Sequence, residues 1–311
     1  MSTIFISIAS YNDPSLAKTI RSALNAADNP GGLSFGLGLQ YYEDPDLSEF
    51  DNLKIISYDP DTRPGIIKIR HNISKLYEDQ DYYLQIDSHY KFAQSWDTEL
   101  LESYEKISRE AEVSKLILFP LEVYPDGIMT SYFVPTLEHR EIGPVLHPMP
   151  VNGKSEAYED YHEIFFGRVG QIFLPGSYIK DVGLDEYSHT SMEIAYFSYR
   201  AIMSGYRFFQ LNKALMWQDD KEYFDAVWDG KKPEEVLESE TRFKSAAVSD
   251  HPATWYELSL AYIYNDYSKY AIKNPAMRPE DYWNLQGQLE EFLEIRNIYD
   301  SVIANDYFLS S

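Results

Sequence analysis

The opening of the chain constrains its fold more than any other stretch. Ile4-Phe-Ile-Ser-Ile-Ala-Ser10 is a short run of β-branched and apolar residues that stops at a turn cluster, Tyr11-Asn-Asp-Pro14. Such a run predicts a buried strand ending at a loop. Residues 15–27 then place Leu16, Ile20, Ala23, Leu24 and Ala27 at helical spacing, and Asn29-Pro-Gly-Gly32 closes that helix. A second strand is predicted over 33–41, weakened by its glycines, and a third at Leu53-Lys-Ile-Ile-Ser-Tyr58. A buried strand, a helix and two more strands within sixty residues predict an α/β sheet with helices on its faces.

The pattern continues. A helix is predicted over 66–76 after Pro64-Gly65, and a strand at Asp81-Tyr-Tyr-Leu-Gln-Ile86. Asp87-Ser-His89 falls at the carboxyl end of that strand, where open α/β sheets bind ligands. Residues 96–108 predict a helix and Lys115-Leu-Ile-Leu-Phe119 a strand. Residues 120–163 carry many Pro, Gly and polar residues without a period, predicting a loop-rich segment with short strands. Ile172-Phe-Leu-Pro-Gly176 predicts a short strand entering a turn, 191–204 a helix ended by Gly205, and 208–217 a single strand. Beyond Gly230 helical patterning takes over, with Leu285, Leu289, Phe292, Leu293, Ile295 and Ile298 on one stripe. The expected division is an α/β domain over 1–230 and a helical C-terminal extension over 231–311.

Charge and composition narrow the function classes. Of the 311 residues, 50 are Asp or Glu and 27 Lys or Arg, a formal charge of −23. Such a surface repels nucleic acid and anionic membrane unless basic residues gather locally. With no cysteine, disulfide scaffolds, Cys-ligated zinc, iron–sulfur clusters and thiol nucleophiles are excluded, so any metal must be held by Asp, Glu, His or Asn. No 18-residue apolar window occurs, and the first ten residues lack a basic leader region. The expectation is a soluble, cytoplasmic protein without a membrane partner. The 27 tyrosines are compatible with sugar or base stacking.

Four constellations carry possible chemistry. In Gln85-Ile-Asp-Ser-His89, residues two apart on a strand face the same way, so Asp87 and His89 can meet one ion. A carboxylate with an imidazole suits Mn²⁺ better than Ca²⁺. The same residues also fit a polar strand end with Asp87 capping the next turn. Glu193, in Ser191-Met-Glu193, heads a predicted helix, either as a capping carboxylate or as a group for sugar hydroxyls. Trp217-Gln-Asp-Asp220 ends a strand, either to complete a metal site or as a solvated acidic turn. Arg63, Lys68, Arg70, His71 and Lys75 cluster within thirteen residues, either to hold a diphosphate or to pair with Glu78, Asp79 and Asp81. No P-loop, dinucleotide-binding glycine motif or nucleophile elbow is present.

Taken in order, Ile4-Phe-Ile-Ser-Ile-Ala-Ser-Tyr11, Arg70-His-Asn-Ile-Ser-Lys-Leu-Tyr77 and Tyr82-Tyr-Leu-Gln-Ile-Asp-Ser-His89 with Trp96-Asp97 resemble the GlcNAc-transferase family that modifies hydroxyproline on cytosolic proteins. The Asp-Ser-His run and the later Glu-containing helix are also similar to polypeptide GalNAc-transferases. The resemblance covers roughly residues 3–230 and implies a GT-A fold, a retaining mechanism and a UDP-sugar donor, UDP-GlcNAc being the family's sugar. It implies Asp87 and His89 as ligands of a divalent ion, Mn²⁺ or Mg²⁺. Where the family carries a third ligand, His, this chain reads Trp217-Gln218-Asp219, so Gln218 or Asp219 would supply an oxygen or the site would keep two protein ligands. It places Ala9, Ser10 and Tyr11 at the nucleobase, Arg70 with Lys68 near the nucleotide's charge, and Phe173, Pro175, Gly176 and Ser177 along the donor sugar. Glu193 would orient acceptor or donor hydroxyls, with Asp87 and Glu193 as the catalytic pair.

The implied chemistry is coherent. A diphosphate leaving group gains charge as the glycosidic bond breaks, and a divalent ion stabilises that charge. Front-face attack by the acceptor needs no strong protein nucleophile. The implied acceptor is a hydroxyl on a protein. A hydroxymethylated DNA base would require a basic groove, for which Lys231, Lys232, Arg242 and Lys244 are the candidates. Gln218 motivates a different class, a nucleotide-sugar-binding module without turnover. A carboxylate glycosidase is a third reading, without a carboxylate pair singled out by spacing.

Overall fold

The computed structural model describes residues 2–62, 64–123, 129–140, 143–152, 160–164, 169–186, 197–198, 200–201 and 204–219. The expected extension over 231–311 and the helix expected over 191–204, apart from 197–198, 200–201 and 204, lie outside these residues.

Strand β1 (Ile4–Tyr11) leads into helix α1 (Leu16–Ala26), strands β2 (Leu33–Gln40) and β3 (Leu53–Tyr58), and helix α2 (Ile66–Ser74). Strand β4 (Tyr82–Asp87), a short strand β5 (Tyr90–Phe92), helix α3 (Trp96–Glu110) and strand β6 (Leu116–Phe119) follow. Then come β7 (Glu122–Val123), β8 (Met129–Arg140), β9 (Gly143–Asn152), β10 (Tyr161–Ile164), β11 (Gln171–Pro175) and helix α4 (Gly176–Asp181). Strands β12 (Arg207–Leu211) and β13 (Met216–Gln218) complete the described elements.

Eight strands form the central sheet in the order β10-β12-β6-β11-β4-β1-β2-β3. β1, β2, β3 and β4 run parallel, β6 and β12 are parallel to one another, and β11 lies antiparallel between β4 and β6. The remaining strands make a second sheet, β5-β13-β7-β8-β9.

Alternation along β1 explains the two-sided core. Ile4, Ile6 and Ile8 face α1 and α3, joining Leu16, Ile20, Trp96 and Leu100. Phe5 faces the other way, joining Ile69, Ile73, Tyr83 and Tyr178. A strand buried on both faces loses the polar alternation of an exposed one, as its sequence reads. Each fully buried large apolar side chain contributes about 2 kcal/mol relative to exposure. The glycines that weaken β2 as a strand have a packing reason. A Cβ at Gly36 would collide with Phe5 and Ile73, and one at Gly38 with Ile69. Both positions let α2 lie close against the sheet.

Two expectations change. The segment expected to be loop-rich holds a long hairpin, β8 paired with β9. Pro144, Pro148 and Pro150 fit there because β9 is an edge strand, and at even spacing their missing N–H groups all fall on one side. The single strand expected over 208–217 is two, split between the sheets, since Asn212, Lys213 and Ala214 carry the chain from one to the other.

Candidate active site

Strand order locates the site. From β1 the chain steps outward to β2 and β3, then returns to place β4 on β1's other side. The order therefore reverses between β1 and β4, and crevices open at the carboxyl ends of strands at such a point. Ala9 pairs in register with Asp87 there. The sequence-predicted groups Ala9, Ser10, Tyr11, Asp87 and His89 thus come to one edge.

Asp87 is the last residue of β4, and Ser88-His89 form a bend before β5. The two candidate ligands are therefore not on one continuous strand face, as spacing alone suggested. Instead the bend is fastened. Thr19 of α1 donates its hydroxyl to the Ser88 carbonyl at 2.7 Å and accepts the Tyr90 N–H at 2.9 Å. The Asp219 N–H reaches the His89 carbonyl at 2.9 Å, tying the bend to the end of β13.

Arg70 of α2 is buried, and its Nη2 lies 2.7 Å from Asp87 Oδ1. A guanidinium this buried needs a carboxylate partner, and Asp87 supplies it. The pairing engages Oδ1 of Asp87, whose side chain is 21 % exposed.

His89 turns its Nδ1 to Asp13 Oδ2 at 3.0 Å. Asp13 also accepts the Ser88 hydroxyl at 2.6 Å on Oδ2 and the Ser15 N–H at 2.8 Å on Oδ1. Burial alone would push the Asp13 carboxyl up. The hydrogen bonds from His89, Ser88 and Ser15 outweigh it and hold the group below the ordinary carboxylate range.

Ser10 is buried rather than open to a base, and its hydroxyl donates to Tyr41 Oη at 2.5 Å, which in turn donates to the Asp13 carbonyl at 2.7 Å. Tyr11 stays partly exposed beside Tyr42, a ring the sequence reading missed. Tyr42 is 64 % exposed, and its hydroxyl donates to Asp61 Oδ1 at 2.8 Å. That bond, with the one to Tyr11, pushes its phenol up to about 12. An exposed aromatic beside a β2–β3 turn is the only sequence signal for it.

The basic cluster does not act as one cradle. Arg70 points inward to Asp87, whereas Lys68, two residues away on the helix, is exposed. His71 places Nδ1 2.8 Å from the Leu184 carbonyl oxygen and Nε2 3.7 Å from Glu186, while Lys75 donates to Asn72 at 3.3 Å. Helical spacing sends these side chains to different sides. Arg63 lies outside the described residues.

The donor-sugar expectation for Gly176 and Ser177 is corrected. β11 runs antiparallel to β4, so Gln171 pairs with Ile86 and Pro175 with Tyr82. Gly176 and Ser177 therefore sit at the amino end of β4, where the Gly176 N–H bonds the Asp81 carbonyl at 2.8 Å. Phe173 is core, stacked on Tyr82. The β11 residue beside the site is Gln171, fully buried, and its amide has no hydrogen-bond partner among the described residues.

Gln218 is buried on β13, with its amide nitrogen 3.3 Å from Tyr90 Oη. Asp219 forms an ion pair with Lys91. Glu193 and Asp220 lie outside the described residues. Among the described residues, no group of three His, Asp or Glu gathers as a ready-made cage. A carboxylate and an imidazole on one fastened bend, with Asp219 tied to its backbone, nevertheless fit a borderline divalent ion by donor type.

Comparison with known proteins supports the same class of fold. The family model "Glycosyltransferase (GlcNAc)" matches residues 45–132. No curated protein matches the chain in sequence. The crystal structure of GalNAc-T7 with UDP, GalNAc and Mn²⁺ aligns with a TM-score of 0.60 at 13% identity, over 97% of this chain and 57% of that one. The S. aureus TarS 1–349 complex with UDP-GlcNAc aligns at 0.56 and 15% identity, over 93% of this chain and 81% of that one. This chain thus spans little more than half of the GalNAc-T7 chain. The fold is the expected α/β GT-A arrangement, a largely parallel sheet flanked by helices. The matched family model is a glycosyltransferase model that covers under a third of the chain, and the two aligned structures share its fold class. No helix among the described residues is long and apolar enough to cross a membrane.

Proposed function

We propose that the chain transfers a sugar, GlcNAc in the first instance, from a UDP-sugar to an acceptor hydroxyl with retention, using a divalent cation. One observation carries this reading. The span matched by the glycosyltransferase (GlcNAc) model contains Arg70, Asp87 and His89, and Arg70 pairs with Asp87 at the strand-order reversal, with His89 on the bend that follows.

Asp87 and His89 are the residues that would hold Mn²⁺ or Mg²⁺, with Asp219 or Gln218 as a further oxygen donor. When bound, the ion would neutralise charge on the departing diphosphate. The protein's own part is positional. Arg70 holds one oxygen of Asp87, and its positive charge lies beside the edge where the diphosphate would sit. Thr19 and Asp13 keep the His89 bend from relaxing. Tyr11 and Tyr42 offer rings to the base. Glu193 is the residue assigned to hydroxyl orientation. The −23 charge favours a protein acceptor over a polynucleotide.

The test is UDP release from a panel of UDP-sugars with Mn²⁺. Release from one sugar, abolished by chelation and reduced at least about 100-fold in Asp87→Ala, is the expected result. Failure of every UDP-sugar to react or to raise thermal stability in the presence of metal overturns the reading. The rival is a binding module without turnover, and it rests on Gln218, whose amide turns to Tyr90. A thermal shift with UDP-sugar but no UDP release would favour it.

A further inference from the structure

His89 has two ring nitrogens, and only one can face a cation. In water, neutral imidazole favours the proton on Nε2, which would spoil that nitrogen as a ligand. The partner of the other nitrogen decides the matter. Here Nδ1 lies 3.0 Å from a carboxylate oxygen of Asp13. A carboxylate accepts, so Nδ1 must donate, and the lone pair moves to Nε2.

Asp13 is itself held against rotation. Its side chain is 5 % exposed. One oxygen takes the Ser15 N–H at the start of α1, and the other takes Ser88 Oγ together with His89. Ser88 and His89 are successive residues of the bend that Thr19 fastens on both sides. The loop after β1 is in turn held by Tyr41, whose hydroxyl donates to the Asp13 carbonyl. Two segments, the start of α1 and the bend after β4, thus converge on a single carboxylate, more than the turn at Ser15 requires.

We propose that Asp13 is a positioning residue that fixes His89 as the Nδ1–H tautomer and so leaves the lone pair of the buried Nε2 for the cation. This rests on the reading of His89 as a metal ligand, and it adds the residue that orients the ligand. Carboxylate partners of this kind typically change metal affinity by about 10–100-fold.

The direct experiment is long-range ¹⁵N–¹H correlation NMR of the full chain at pH 8 without metal, with His89 assigned through His89→Gln. The expected spectrum shows a protonated Nδ1 and an unprotonated Nε2 for His89. A proton on Nε2, or on both nitrogens at that pH, overturns the proposal. A second arm measures Mn²⁺ binding by electron paramagnetic resonance. Affinity should fall about 10–100-fold in Asp13→Ala and by less in Ser88→Ala, which keeps the carboxylate. Unchanged affinity in a folded Asp13→Ala also overturns it. Should that variant fail to fold, the wild-type spectrum and Ser88→Ala decide. An Nδ1–H ring in a protein that releases UDP from no sugar sustains the positioning role and sinks the donor reading. An Nε2–H ring in an active enzyme does the reverse.

Discussion

The two edges of the central sheet are built on opposite principles. At the amino edge, carboxylates are spent on the backbone N–H groups of another segment. Asp97 at the start of α3 accepts the N–H groups of Asp28 and Asn29, both at 2.9 Å, where α1 ends. Asp81 accepts the N–H and hydroxyl of Thr3 at 2.8 and 3.0 Å. At the carboxyl edge, buried polar residues crowd the strand ends without closing on one another. Gln171 and one amide atom each of Gln40 and Gln85 have no partner among the described residues. Arg70 with Asp87, and Asp13 with His89, pair ionisable side chains with one another rather than with backbone donors alone. An edge with satisfied groups stabilises the fold. Buried polar groups without a partner cost stability, and such a cost is tolerated where a site needs it.

The comparison breaks if the amino edge proves functional or the carboxyl edge inert. The largest stability effect is expected at Asp97. Asp97→Ala removes a carboxylate that satisfies two backbone donors, so it should cost about 2–3 kcal/mol in urea unfolding. The folded fraction should keep UDP-sugar binding unchanged, since the site lies at the other end of the strands. Loss of binding in folded protein would mean that the edges are coupled.

Gly176 sharpens the same contrast by sterics. A Cβ there would collide with Tyr77 Oη and the Gln80 carbonyl oxygen. Gly176→Ala should cost about 1–3 kcal/mol, as overpacking does, and leave the apparent Kd for donor unaltered once folding is complete. A donor-sugar role for Gly176 predicts the converse, a binding defect at normal stability. Isothermal titration beside a thermal melt separates the two.

That contrast also marks what the sequence could express. The opening strand, its helix and the polar end of β4 were legible because each depends on local periodicity and turn chemistry. Asp87 and His89 lie at the carboxyl end of β4, as the local pattern predicts. The direction of β11 was not legible. Ile172-Phe-Leu-Pro-Gly176 reads the same in either orientation, and only pairing with β4 and β6 fixes its polarity. An antiparallel insertion reverses which end of the segment meets the site, so Gly176 was assigned to the wrong edge and Gln171 overlooked. Arg70 carried a usable signal that the cluster reading passed over. It lies three residues from Ile67 and from Ile73, on the apolar stripe of α2, where a charge demands a buried opposite charge. Asp13 was visible only as a turn residue, because its partners lie 75 and 76 residues away.

Gln171 gives the smallest effect and the most direct probe of the contrast. Its amide is buried at 1 % exposure, and neither polar atom has a partner among the described residues. Leaving a buried polar group unpaired costs about 1–3 kcal/mol, whereas an apolar group of similar shape incurs no such cost. Gln171→Leu should therefore stabilise the free protein by up to about 1 kcal/mol, after allowance for imperfect packing of the branched side chain. The equivalent removal at Asp97 is strongly destabilising, so opposite signs are expected for two deletions of buried polar groups in one domain. Differential scanning calorimetry of the two variants reads both signs at once. A destabilised Gln171→Leu would show that this amide is structurally engaged, and the carboxyl edge would then resemble the amino edge at that strand.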